Sequence, residues 1–258
     1  MALQRPSGHR PARRTPTQHG ASGVLVTGAS GGIGRAISLA FAAAGWYVGV
    51  HYHENKGAAE ATRRAVVEAG GTGDLYQADI RHKHEVQRMV AVYCRAITTP
   101  KVFVCNAGVG ASRLVIRHPE EEWARIMATN LTGTFYCLCA MAEALIAQRE
   151  GSIIVIGSHA GFQGATGQAA YAASKAGLIG LVKTAAHEWG PYNLRVNLVL
   201  PGWQDTGLAG DAMPGPDQFL DHAIGRPPAL AEVAKTVVYL AELRHVSGQI
   251  WNCDSRNL

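Results

Sequence analysis

Charge is scarce in this chain: 17% of its 258 residues are charged and 7% are aromatic. No uninterrupted apolar run approaches the roughly 18 residues of a membrane-spanning helix. The first residues lack the apolar segment of a secretory signal, so the sequence predicts a soluble, cytoplasmic protein with no membrane partner. The five cysteines, Cys94, Cys105, Cys137, Cys139 and Cys253, are odd in number and show no metal-ligand spacing. That argues against a disulfide framework and suits a reducing compartment. Acid is missing from residues 1–20, where Arg5, Arg10, Arg13 and Arg14 supply four of the net +5 charges and leave +1 for the remainder. The same twenty residues lack apolar periodicity and read as a disordered basic tail, while the nearly neutral remainder offers no field for nucleic acid. His51, His53, His82 and His84 lack cysteine and carboxylate partners at metal-binding spacing. They read as solvated histidines around strand ends, with no metal site.

What is present is apolar residue, at 47%, arranged in a rhythm without internal repeats. Residues 21–258 suit one large domain. Short apolar runs, "GVLVTG" at 23–28, "WYVGVHY", 74–79, "KVFVC" at 101–105, "GSIIVIG", "LRVNLVL" and 248–252, read as strands. Between them, helical spacing covers "GRAISLAFAAAGW", 57–69, 83–97, one long helix at 119–148, the segment around residue 175, and 230–242. Apolar strands alternating with helices of this length predict a doubly wound α/β fold, its parallel sheet covered on both faces. Ligands of such sheets sit beyond the carboxyl ends of the strands. Residues 203–228 break the rhythm with glycine and proline and read as a loop over the substrate.

Three stretches carry chemistry. The first is "TGASGGIG" at 27–34, directly after the first strand, where Gly28, Ser30, Gly31, Gly32, Ile33 and Gly34 would let the backbone approach a pyrophosphate at a helix N-terminus. The second is the end of the second strand. Tyr52 and His53 stand there with no carboxylate before Glu54, which favours NADP(H) over NAD(H) although Glu54 keeps both open. Asp79, with Ile80 after it, closes the third strand and is a candidate to meet the adenine; a strand-end aspartate capping the next helix is the alternative. The third is "AAYAASKAGLIG" at 169–180. On a helix Tyr171 and Lys175 share a face, so the ammonium would lower the phenol pKa. The same spacing also suits an ordinary amphipathic helix with a snorkelling lysine.

Together "TGASGGIG", "CNAG" at 105–108, Asn130, Ser158 and "YAASK" stand in the order and spacing of the classical short-chain dehydrogenase/reductase family, over residues 23 to about 252. "EEEWARIMATNLTGTFY" and "LRVNLVLPG" most resemble the 3-oxoacyl-[acyl-carrier-protein] reductase branch. The resemblance implies a Rossmann fold with a seven-stranded parallel sheet, and a homotetramer or homodimer. It implies Tyr171 as catalytic acid or base, Lys175 as its activator and a ribose ligand, Ser158 as the hydroxyl orienting the carbonyl, and Asn130 in a proton relay. Asn106, Ala107 and Gly108 would flank the cofactor, Pro201 and Gly202 the nicotinamide, and Thr206 its carboxamide. The implied substrate is a small carbonyl compound, 3-oxoacyl thioester-like; a dehydrogenase of a small alcohol, sugar, steroid or polyketide is the alternative, and a non-catalytic nucleotide-binding protein a further one. The chain departs from that branch in three places. Tyr136 and His187 stand where arginines would face an acyl carrier protein, Gly31 stands where many NADPH-dependent relatives place arginine, and "GQIWNCDSRNL" puts Asp254 and Ser255 where glycines would lie near a subunit interface. Trp203, Phe162 and Phe219 are expected to give the substrate pocket an apolar portion.

Overall fold

The computed structural model describes residues 19–206 and 222–256. Strand β1 (His19–Val26) runs into helix α1 (Gly32–Ala43), then β2 (Tyr47–Tyr52), α2 (Lys56–Glu68), β3 (Thr72–Gln77), α3 (Lys83–Ala96) and β4 (Ile97–Cys105). Helices α4 (Glu120–Met127) and α5 (Thr134–Gln148) follow, then β5 (Gly151–Ile156), the single turn α6 (Ala160–Gln163), α7 (Ala169–Trp189), β6 (Leu194–Leu200), α8 (Leu230–Glu242) and β7 (Ile250–Asn252). The seven strands form one sheet in the order β3-β2-β1-β4-β5-β6-β7, and every pairing is parallel. This is the doubly wound α/β arrangement that the rhythm predicts. Of the basic tail expected at residues 1–20, residues 1–18 lie outside the described residues, and β1 begins at His19. Of the predicted substrate loop, 207–221 also lies outside them, and Phe219 with it.

Strand alternation explains both cores. In β1, Val24 and Val26 face one side of the sheet and Leu25 the other, and all three are fully buried. Val24 and Val26 join Val48, Val50, Val102 and Val104 beneath α1, α2 and α8 through residues such as Ile37, Val66 and Val237. Leu25 joins Phe103, Ile153, Val155 and Leu198 beneath α3, α5 and α7 through Val86, Leu138 and Leu178. Burial on both faces requires near-continuous apolar strands, as β5 and β6 are.

The long helix expected at 119–148 is interrupted. Residues Ala128–Gly133 form a π-turn between α4 and α5. The extra residue in that turn is packed rather than looped out: Gly133 lies so close to Ile80 that a Cβ would sit 2.9 Å from its side chain. Such mid-helix π-turns re-aim side chains, and the one placed inside here is Asn130, 1% exposed. By length and composition Glu120–Gln148 is apolar enough to cross a membrane, but half of that window is buried in the fold, where Leu138, Met141 and Leu145 pack on the sheet.

Candidate active site

The strand order reverses between β1 and β4, and a crevice opens there at the carboxyl ends of the strands. The glycine loop occupies one wall. Gly28 and Gly32 adopt φ of +63° and +54°, the left-handed region where a side chain is strained. At Gly34 a Cβ would meet the Gly28 carbonyl oxygen at 2.4 Å. Helix α1 opens with no capping side chain and no acid in its first turn, so its amides and positive dipole end face the crevice, a cradle that fits a pyrophosphate.

Thr27 ties this loop to the "NAG" turn. Its hydroxyl donates to the Val104 carbonyl at 3.2 Å and accepts from the amides of Asn106 and Ala107 at 2.9 and 3.1 Å. Asn106 returns its Nδ2 to the carbonyls of Thr27 and Gly28, at 2.9 and 3.2 Å. Gly108 then passes between Asn130 and Lys175: a Cβ there would lie 3.3 Å from Asn130 Oδ1 and 3.8 Å from Lys175 Nζ.

A cavity of about 360 Å³ brings together part of the predicted set, without Asn130, Ala107 or Gly28, Ser30, Gly31, Gly32 and Gly34 of the loop. Ile33, Asn106, Gly108, Ser158, Tyr171, Lys175, Pro201, Gly202 and Thr206 all line it. Ser158 follows β5, where its hydroxyl accepts the Ala160 amide at 3.2 Å and shares the cavity wall with Tyr171. One turn along α7, Lys175 is 5% exposed; its Nζ donates to the Ile156 carbonyl at 2.7 Å and lies 5.7 Å from the centre of the Tyr171 ring. Burial pushes the Lys175 ammonium down to about 8. Asn130 spans two elements: its Oδ1 accepts the Val109 amide at 2.8 Å, and its Nδ2 donates to the Val109 carbonyl at 2.9 Å and to Ser174 Oγ at 3.1 Å.

Several expectations need correction. The phenol of Tyr171 is raised, not lowered: burial dominates, the Ser158 hydroxyl opposes it, and Lys175 is turned toward Ile156. The Tyr52 side chain, expected at the strand tip, is 6% exposed and packs in the core beneath α2. Ile80, 5% exposed, is packed against Gly133. Phe162 is 38% exposed and does not line the cavity, whereas Trp203 does. Nor does Asp79 cap α3. Its carboxylate takes Arg81 Nε and Nη2 at 2.9 and 2.6 Å, which holds the carboxyl down to about 2. Asp79 and His53 line a second cavity with Glu54, His82, Glu85 and Arg88. His51 is not solvated at all; it is 2% exposed, and burial pushes its imidazole down to about 4.

The C-terminal departure also lies at this site. Asp254, its side chain fully buried, pairs with Arg256 and with His222 Nε2 at 3.0 Å, and a Cβ on Gly202 would come within 2.7 Å of its carboxylate. Arg256 thereby lines the cavity, a placement that sequence spacing cannot signal because the chain must first fold back across β6 and β7.

A protein-family model described as short chain dehydrogenase matches residues 22–216. The chain belongs to the short-chain dehydrogenase family. It is an oxidoreductase of that family, acting on a carbonyl substrate with a nicotinamide cofactor. A 3-oxoacyl-[acyl-carrier-protein] reductase of Synechocystis sp. is 37% identical over 235 residues, spanning 89% of this chain and 94% of the relative. Among solved structures, a variant of actinorhodin polyketide ketoreductase with NADPH superposes with a TM-score of 0.85 at 28% identity, covering 91% of this chain and 96% of the other. NAD+-bound xylitol dehydrogenase superposes with a TM-score of 0.85 at 27% identity, covering 92% and 98%.

Proposed function

We propose that this chain is an NADPH-dependent ketoreductase acting on a 3-oxoacyl thioester-like carbonyl, with Tyr171, Ser158, Lys175 and Asn130 as its working residues. The observation that carries the reading is the single cavity that Ser158, Tyr171 and Lys175 line together with Asn106 and with Ile33 of the glycine loop. A bound nicotinamide supplies the hydride equivalent to the carbonyl carbon. Ser158 donates to the carbonyl oxygen and fixes its direction, and Tyr171 delivers the proton as negative charge develops there. Lys175, one turn along the helix from Tyr171, would offset the charge left on the phenol and would help hold the ribose of the cofactor. Asn130 positions the Val109 segment against α7.

The glycine loop, the Asn106–Gly108 turn and the 201–206 segment would hold the dinucleotide. NADP(H) is favoured because β2 ends without a carboxylate and His53 stands at the edge of the second cavity, while Glu54 is 86% exposed in its side chain. A free thioester suits the entrance better than a carrier protein, since His187 and Tyr136 offer no fixed positive charge to an acidic partner. We further propose a homo-oligomer built on α4 and α5, where Trp123 and Phe135 are 42% and 44% exposed; sedimentation velocity tests this directly.

Consumption of NADPH and of NADH with a short 3-oxoacyl thioester, in the parent and in Tyr171→Phe, tests the function. NADPH turnover in the parent, lower in the variant by roughly 10²–10⁴-fold, is expected. Full activity in the variant refutes the role of Tyr171. Tight cofactor binding without turnover refutes the thioester assignment.

A further inference from the structure

We propose that His51 is a positioning residue for the cofactor, setting the glycine loop from beneath. The inference rests on the reading that the loop binds the dinucleotide. His51 lies on β2, between β1 and the edge strand β3, and it holds two successive amides of the loop. Its ring Nδ1 accepts the Gly28 amide at 2.9 Å, and its own carbonyl accepts the Ala29 amide at 2.9 Å. The other ring nitrogen, Nε2, lies 3.0 Å from the Ala78 carbonyl.

The tautomer follows from the partners. A backbone amide can only donate, so Nδ1 carries no proton; a carbonyl can only accept, so Nε2 carries it. The neutral ring therefore acts as a rigid strut from the segment after β3, across β2, to the first glycine of the loop. Gly28 needs such a strut. It holds φ +63°, and its Cα packs so tightly that a Cβ would sit 2.9 Å from Ala107. Asn106 fixes the carbonyl of Gly28, and His51 fixes its amide, so both ends of this one residue are pinned. An apolar side chain at position 51 would leave a buried N–H without a partner, and the loop would relax away from the geometry the pyrophosphate needs.

The two ring bonds can be separated by substitution. Asparagine places its Oδ1 where Nδ1 lies and keeps an acceptor for Gly28. Glutamine places its Nε2 where the ring Nε2 lies, keeps a donor for Ala78 and loses the acceptor. Phenylalanine loses both. Calorimetric titration of the full-length His51→Asn, His51→Gln and His51→Phe proteins with NADPH and with NADH measures the loop without requiring turnover, so it remains informative if the thioester assignment fails. His51→Asn is expected to bind within about threefold of the parent. His51→Gln and His51→Phe should bind both cofactors about 5- to 100-fold more weakly, the range for an orphaned buried amide. The loss should be equal for the two cofactors, because the loop faces the part they share. Where His51→Phe does not fold, the asparagine and glutamine pair decides. Binding by His51→Gln within twofold of the parent, or by His51→Asn as weak as His51→Gln, overturns the proposal. Affinity that merely follows melting temperature across the three variants overturns it as well.

Discussion

Lys175 is the residue whose removal should strengthen the fold while ending catalysis. Its ammonium is 5% exposed and burial holds its pKa at about 8, against 10.5 for the free side chain. At pH 7 the lysine is charged in both folded and unfolded chains, so the folded state bears the whole cost of burying it. At 1.36 kcal/mol per unit, that cost is about 3 kcal/mol. Lys175→Met keeps the aliphatic stem and removes the charge. It also removes the donor to the Ile156 carbonyl, a loss of about 1–2 kcal/mol. The net expectation is a cofactor-free protein about 1–2 kcal/mol more stable at pH 7, which for a chain of this size is a rise in Tm of about 2–6 °C. The pH dependence distinguishes this cause from a packing gain. As pH rises from 8 to 10.5 the folded lysine loses its proton before the unfolded one does, the unfolded chain binds more protons, and the parent gains stability. The advantage of the variant should therefore shrink across that window and reverse above it, where the lost bond to the Ile156 carbonyl leaves the variant about 1–2 kcal/mol less stable than the parent. Scanning calorimetry of both proteins at pH 7 and pH 10, with turnover measured alongside, provides the test. A variant no more stable than the parent at pH 7, or an advantage unchanged at pH 10, refutes the assignment of buried charge to Lys175.

Other residues of the site yield further expectations. Asn130→Ala leaves both polar groups of the half-buried Val109 without their side-chain partner and should lower stability by about 1–3 kcal/mol in urea unfolding, with turnover falling even where the variant is fully folded. Thr27→Val is nearly isosteric but strands the amides of Asn106 and Ala107; about 2–3 kcal/mol of stability should be lost, and wild-type stability would mean these bonds contribute nothing net. Gly34→Ala forces a methyl against the Gly28 carbonyl and the Asn106 amide, so cofactor affinity measured by nucleotide fluorescence should fall about tenfold or more; unchanged affinity would show that the loop moves freely to make room.

The sequence by itself determined the architecture. Seven apolar segments, each too short for a helix and separated by helical spacing, leave a parallel sheet covered on both faces as the arrangement that buries them. It also determined which polar residues converge, because strand ends in such a sheet share one edge: Asn106 after β4, Ser158 after β5 and Pro201 after β6 must meet there. The tertiary structure decided what depends on which neighbour a side chain meets. Position 51 looked like a strand-end histidine, yet pairing of β2 between β1 and β3 buries it and gives both ring nitrogens a partner. Tyr171 and Lys175 are one turn apart as the spacing requires, but the carbonyl of Ile156, not the phenol, takes the ammonium, so burial sets both pKa values in the free protein. The π-turn at Asn130 has no local sequence signal; it exists because that side chain finds its partners on the Val109 segment and on α7, two places far apart along the chain. Periodicity reports which face of an element is buried. It does not report which polar atoms lie opposite, and the chemistry of this site depends on those atoms.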